Sequence, residues 1–250
     1  MDINLALLAV IAFGAAFAQG FSGFGYGILA MAALSLLTPG LERASVFITL
    51  TVTALTITLL LRSRRDVHID WRQAAVLILG VLAGSPLGYW FVLRQGDMPI
   101  CRLVFGAVLI LFALNGLLKP HLKRHIPLLL APVFGVFSGL LSGAFASGGP
   151  PIVLYLYAQE DDPRRSVGTV QAVFLGASLY RLAIVGYGER GFTADLLRLA
   201  AIMVPVVVLG TLVGYMAARK VSCRCFLLCA YTLIIVASVM NIAKGFRALH

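Results

Sequence analysis

Eight apolar blocks, separated by short connections, decide what this chain can become. They run Leu5 to Leu37, Ala44 to Leu61, Ala74 to Leu93, Leu103 to Leu118, Ile126 to Ala158, Val167 to Tyr187, Leu196 to Ala218 and Phe226 to Ala243. Each is near or above the length of a bilayer crossing, about 20 residues. Hydrophobic residues make up 60% of the 250 and charged residues 12%, against roughly 45–50% and 25% in a soluble domain. No water-soluble core fits, and no separate catalytic or nucleic-acid-binding domain. The sequence predicts an all-α polytopic membrane protein, a single transmembrane transport domain over residues 1–250 whose first partner is the lipid bilayer. Connections such as Arg62-Ser63-Arg64-Arg65-Asp66 and Lys119-Pro120-His121-Leu122-Lys123-Arg124 are too short for domain linkers. The net charge of +10 is then a topology signal and a set of headgroup contacts, not a footprint for nucleic acid. No basic n-region precedes the first block, so Leu5 onward reads as mature protein.

The chain repeats itself at about half its length. Ser22-Gly23 matches Ser142-Gly143, Arg43 matches Arg165, and Trp71-Arg72-Gln73-Ala74-Ala75 matches Leu197-Arg198-Leu199-Ala200-Ala201. Gly84-Ser85-Pro86-Leu87-Gly88-Tyr89 matches Gly210-Thr211-Leu212-Val213-Gly214-Tyr215, and Asn115 matches Asn241. The series is colinear and spans both halves, which points to two tandem four-block repeats, residues 5–118 and 126–244, a common construction for secondary transporters.

The first block of each half is too long for one ordinary crossing and is interrupted in the same way. One carries Gly20-Phe21-Ser22-Gly23-Phe24-Gly25-Tyr26-Gly27, the other Ser142-Gly143-Ala144-Phe145-Ala146-Ser147-Gly148-Gly149-Pro150-Pro151. Glycine accepts non-helical backbone and proline removes a donor, so each half should open with a glycine-broken or re-entrant helix. Broken backbone at membrane depth persists only where protein or a water-filled cavity satisfies it. The breaks are therefore the candidate substrate site. If both blocks fold back, basic residues divide 12 to 7 between the two faces; if both cross, 11 to 8. The hairpin arrangement fits the positive-inside rule better, and its three crossings per half would invert the halves, with both termini outside.

All ten acidic residues lie at termini or in connections, leaving no carboxylate inside a span. Cation carriers and many proton pumps need one there. Broken helices instead offer N-termini, whose N–H groups and dipole favour anions, with the hydroxyls of Ser22, Ser142 and Ser147 as further donors. The expected substrate-binding set is Gln19, Ser22, Gly23, Gly25, Tyr26, Gly27, Ser142, Gly143, Ser147, Gly148, Gly149, Pro150, Gln171 and Arg181. Arg181 is the one charge deep inside an apolar block, Arg198 standing only at the start of the block from Leu196. Its ordinary reading is an arginine that snorkels to the interface; the alternative is a role in holding or attracting an anion. For Gln171 the ordinary reading is a polar contact between helices.

Other motifs reduce to packing or to nothing. Gly25-Tyr26-Gly27 matches the end of a potassium-channel filter, but the second half has no counterpart. The series Gly135, Gly139, Gly143 and the pairs Gly84/Gly88 and Gly210/Gly214 fit close helix packing or, equally, a homodimer interface. Gly20-Phe21-Ser22-Gly23-Phe24 fails the nucleophile-elbow pattern at its last position, and no histidine or intramembrane carboxylate is placed to activate a serine, so no enzyme is expected. Cys101, Cys223, Cys225 and Cys229 stand at no metal-ligand spacing from the four histidines, so neither metal nor cofactor is expected.

Two tandem halves, each opening with a long glycine-broken block (Ser22-Gly23-Phe24-Gly25-Tyr26-Gly27; Ser142-Gly143 and Ser147-Gly148-Gly149-Pro150) and continuing into a span that starts near Arg43-Ala44-Ser45 or Arg165-Ser166-Val167, resemble the TauE/SafE family of sulfite exporters over nearly the whole chain. Where members of that family often carry an asparagine in the second span of each half, this chain has Thr49 and Gln171. The resemblance implies a multi-pass bacterial inner-membrane permease for sulfite, sulfonates or related organosulfur anions. The resulting expectation is a secondary carrier of a small anion working by alternating access around paired broken helices. A passive anion channel is the alternative, and a scaffold without flux the third reading.

Overall fold

The structure is a computed structural model that describes residues 4–37, 41–63, 69–95, 99–118, 126–159, 163–188 and 192–218, with helical positions scattered through 232–247. The regular elements are helices: α1 (Leu5–Ser22), α2 (Tyr26–Leu37), α3 (Leu41–Ser63), α4 (Trp71–Gln95), α5 (Pro99–Leu118), α6 (Ala131–Phe145, entered through a 3-10 turn at Leu128–Leu130), α7 (Gly149–Tyr157), α8 (Pro163–Tyr187) and α9 (Ala194–Ala217). Among the described residues six helical stretches are long and apolar enough to cross a membrane. The protein is thus an all-α polytopic membrane protein. The eighth apolar block, from Phe226, and the matched Asn241 lie largely or wholly outside the described residues. Acidic groups sit where helix dipoles favour them: Glu42 and Asp195 in the first turns of α3 and α9, and Asp70 accepting from the Arg72 and Gln73 N–H groups at 3.0 Å as it caps α4.

Two seams hold the bundle together, and glycine builds both. On α4, a Cβ at Gly80 would come within 2.8 Å of the Gly135 Cα, while Gly84 and Gly88 lie against the carbonyls of Val136 and Leu140 on α6. From the other side Gly139 faces Val81 and Gly143 faces Ser85. The α1/α9 seam repeats the pattern: Gly210 lies on the Phe13 carbonyl, Gly214 on that of Phe17, and Gly20 on that of Thr211. A helical glycine costs about 1 kcal/mol relative to alanine; here it admits a neighbouring backbone that no side chain would allow. The homodimer reading of these stripes does not hold, because both are filled by helices of the same chain.

The contacts also give directions. Residues rise together along α4 and α6, and along α1 and α9, so each seam is parallel. The helices α4 and α8 are parallel as well: Asp70 N–H donates to Thr169 Oγ1 at 3.0 Å, Gly176 lies on Ile78, and Gly188 on Tyr89. In contrast α7 turns back along α6, since Ser138 Oγ donates to the Gly148 carbonyl at 2.6 Å and the Phe134 and Tyr155 rings lie 5.3 Å apart. The second long block is therefore a helical hairpin whose return arm has nine residues, about 14 Å and too short to cross back.

Candidate functional site

Each break is a left-handed cap followed by a new helix. Gly23 ends α1 with φ 83° and its N–H returns to the Gln19 carbonyl; Gly25 follows at φ 111° before α2 begins. At the second break the left-handed residue is Ala146, φ 52°, whose N–H returns to the last turn of α6. Left-handed backbone is natural for glycine and costs roughly 1–2 kcal/mol for other residues. The two breaks meet: a Cβ at Gly27, in the first turn of α2, would overlap the Ala146 carbonyl.

Between them lies a cavity of ≈ 50 Å³. Of the residues singled out in the sequence, Gln19, Gly25, Gly27, Ser142, Ser147, Gly148, Gly149 and Arg181 line it, and Ser22, Gly23, Tyr26, Gly143, Pro150 and Gln171 do not. The second group forms the support behind the wall. Ser22 Oγ engages the Ala18 and Phe24 carbonyls at 2.8 and 2.7 Å, and Tyr157 Oη donates to the Ser22 carbonyl at 3.0 Å. Tyr26 is fully buried, with its N–H on Gln19 Oε1 at 3.1 Å and its hydroxyl on Thr51 Oγ1 at 2.7 Å. Gln171 Nε2 donates to the Gly23 carbonyl and Gln171 Oε1 accepts from Gln19 Nε2 at 3.4 Å. Gln171 thus makes the polar helix contact that is its ordinary reading. Pro150 is buried in the first turn of α7.

Arg181 does not snorkel. It is 1% exposed, and its guanidinium spans three helices. Nε and Nη2 donate to the Gly143 carbonyl at 3.2 and 2.8 Å, Nη1 to the Ser45 carbonyl at 2.9 Å and to Thr49 Oγ1, and Nη2 to Ser45 Oγ at 3.0 Å. All five guanidinium N–H donors therefore meet carbonyls or hydroxyls, and each of these acceptors is neutral. The physical reason for burial is the end of α6: Gly143 sits in its last turn, where unpaired carbonyls and the negative end of the dipole draw a cation. Its hydrogen-bond partners carry no charge, and the positive charge beside the cavity is met only at longer range, by Glu42 and by the Tyr89 ring, whose centroid lies 5.9 Å from the guanidinium carbon.

Sequence reasoning missed the other lining residues: Ile28, Thr49, Val52, Ser138, Ala146, Phe174, Ala177 and Ser178. Helical spacing carried part of the signal, since Ser138 stands one turn before Ser142 and Ser178 one turn before Arg181. Ser45 and Thr49, also one turn apart on α3, hold Arg181.

Helix geometry leaves the N–H groups of Gly27 and Ile28 without an acceptor inside α2, and both residues line the cavity. At α7 the second and third positions are Pro150 and Pro151, which carry no N–H, so Gly149 supplies the donor there. The arrangement offers donors and positive charge to whatever enters. Residues 8–240 match the Sulfite exporter TauE/SafE family.

The chain belongs to the TauE/SafE sulfite exporter family.

A relative from Cupriavidus necator, named as a probable sulfite/organosulfonate exporter TauE, is 33% identical over 217 residues, covering 84% of this chain and 82% of the relative. No solved structure matches. Thr49 and Gln171 each serve a helix break. Gln171 holds the first and Thr49, through Arg181, the second.

Proposed function

We propose that this protein is a secondary carrier of the inner membrane that exports a small sulfur oxyanion or organosulfonate by alternating access around its two broken helices. The observation that carries the reading is Arg181, a buried guanidinium on the cavity wall with neutral hydrogen-bond acceptors. The anion is held by the N–H groups of Gly27, Ile28 and Gly149 and the hydroxyl of Ser142, in the field of Arg181, while the Ser147 hydroxyl, which donates to the Phe145 carbonyl at 3.0 Å, braces the break.

Two inverted repeats supply the moving parts. The support is directional: α8 runs with α4 and α6, consecutive membrane crossings such as α8 and α9 must run oppositely, and α1 runs with α9. The opening helices α1 and α6 then oppose one another, as inverted halves require. The seam contacts agree residue for residue, with Gly84 on Val136 answered by Gly210 on Phe13, and Gly143 on Ser85 by Gly20 on Thr211.

Proteoliposomes loaded with labelled sulfite or sulfonate test the reading. Flux should saturate with concentration and be accelerated by unlabelled anion on the opposite side. Current that rises without saturation would indicate a channel, and saturable choline movement with no anion flux would overturn the anion site itself.

A further inference from the structure

We propose that the cavity discriminates among sulfur anions by their tails, accepting a sulfonate whose tail is neutral and rejecting one that carries an ammonium group. This deepens the anion-carrier reading and rests on it. Among the described residues Arg181 is the one formal charge on the wall, and the acidic ones (Glu42, Asp70 and Asp195) do not line it. A buried ammonium needs an anion or several acceptors. Several acceptors near at hand already take a hydrogen bond: the Gly143 carbonyl and the Ser45 and Thr49 hydroxyls from Arg181, the Gly148 carbonyl from Ser138, and Gln19 Oε1 from the Tyr26 N–H; the lining hydroxyls of Ser138, Ser142, Ser147 and Ser178 are neutral and cannot offset an ammonium charge in the field of Arg181. Beside the donor-rich backbone and these hydroxyls the wall is apolar, formed by Ile28, Val52, Phe174 and Ala177. That wall suits a hydrocarbon tail and repels a hydrated cation.

Propane-1-sulfonate and 2-aminoethanesulfonate make the test clean, because they have the same number of heavy atoms and differ in the terminal group alone. Titration calorimetry on the purified full chain should show sulfite and propane-1-sulfonate binding, and 2-aminoethanesulfonate at least about tenfold weaker. Equal affinity for the two sulfonates would overturn this inference and leave the anion site standing. Absence of binding by both sulfite and propane-1-sulfonate would overturn the anion site with it. Gln19→Glu, which keeps the acceptor for Tyr26 and puts a carboxylate on the wall, should move the ratio toward 2-aminoethanesulfonate. A folded Gln19→Glu protein with an unchanged ratio would count against charge as the cause.

Discussion

The backbone of Gly27 runs against the carbonyl of Ala146, so the first turn after one helix break forms part of the wall of the other. Neither half can close this cavity alone. Lining groups come from α1, α2 and α3 on one side and from α6, α7 and α8 on the other, and a movement of one half against the other must change its shape.

Substitution at two glycines of the site should separate folding from binding. A Cβ at Gly27 would overlap the Ala146 carbonyl, whereas one at Gly149 would touch only Phe174, at 3.4 Å. Gly27→Ala is expected to cost folded protein, by about 1–3 kcal/mol as for other overpacked sites. Gly149→Ala should purify normally and bind sulfite several-fold more weakly, because the methyl group takes space next to a donor. Size-exclusion profiles and calorimetry together check the pair; normal binding by both variants would refute the contact geometry.

Ala146 is expected to be a residue whose replacement by glycine raises the melting midpoint. Left-handed backbone costs alanine about 1–2 kcal/mol, and the added flexibility of glycine in the unfolded chain returns about 0.4–1 kcal/mol of that. The net gain is therefore small and positive. By the same logic Gly25→Ala should destabilise: the space around its Cβ is open, but φ 111° is strained for any side chain. A melting midpoint lowered by Ala146→Gly would show that the methyl group packs more favourably than the strain costs.

These breaks were legible in the sequence because glycine and proline mark non-helical backbone directly. Their register was not. Identity equates Ser22-Gly23 with Ser142-Gly143, yet the seam contacts put Gly20 in the place of Gly143, and the caps put Gly23 in the place of Ala146. Alanine carries no signal for a left-handed cap, so the true partner of Gly23 was invisible. The glycine stripes announced close packing but not with what, since a helix of the same chain and a second copy ask the same of a small residue. The sequence leaves the snorkelling and buried readings of Arg181 both open because its partners, Ser45, Thr49 and the Gly143 carbonyl, lie 136, 132 and 38 residues away in sequence.

The seams make a sharp prediction about glycine to alanine changes within single helices. Gly84 lies on the Val136 carbonyl, while nothing approaches the Cβ position of Gly14 within 4 Å. Gly14→Ala should therefore be neutral or raise stability by up to about 1 kcal/mol, the helix-propensity difference. Gly84→Ala must force α4 and α6 apart and should sharply reduce the yield of folded protein. Equal yields and equal melting midpoints for the two variants would argue against the α4/α6 seam.

Arg181 carries the last expectation, because its two conservative replacements fail for different reasons. Lysine keeps the charge but has three donors in place of five and no planar fork, so some of the Gly143, Ser45 and Thr49 acceptors lose their partner. Each buried acceptor left unsatisfied costs about 1–3 kcal/mol. Glutamine keeps some donors and loses the charge next to the cavity. If Arg181 supplies the field that holds an anion, Arg181→Lys should lower the melting midpoint and retain measurable sulfite affinity. Arg181→Gln should lower both, with affinity falling by more than about tenfold, the equivalent of about 1.4 kcal/mol. Melting curves and calorimetry on the same preparations separate the two effects. Sulfite affinity in Arg181→Gln equal to that of the unmodified chain would reduce Arg181 to a structural tie between α3, α6 and α8.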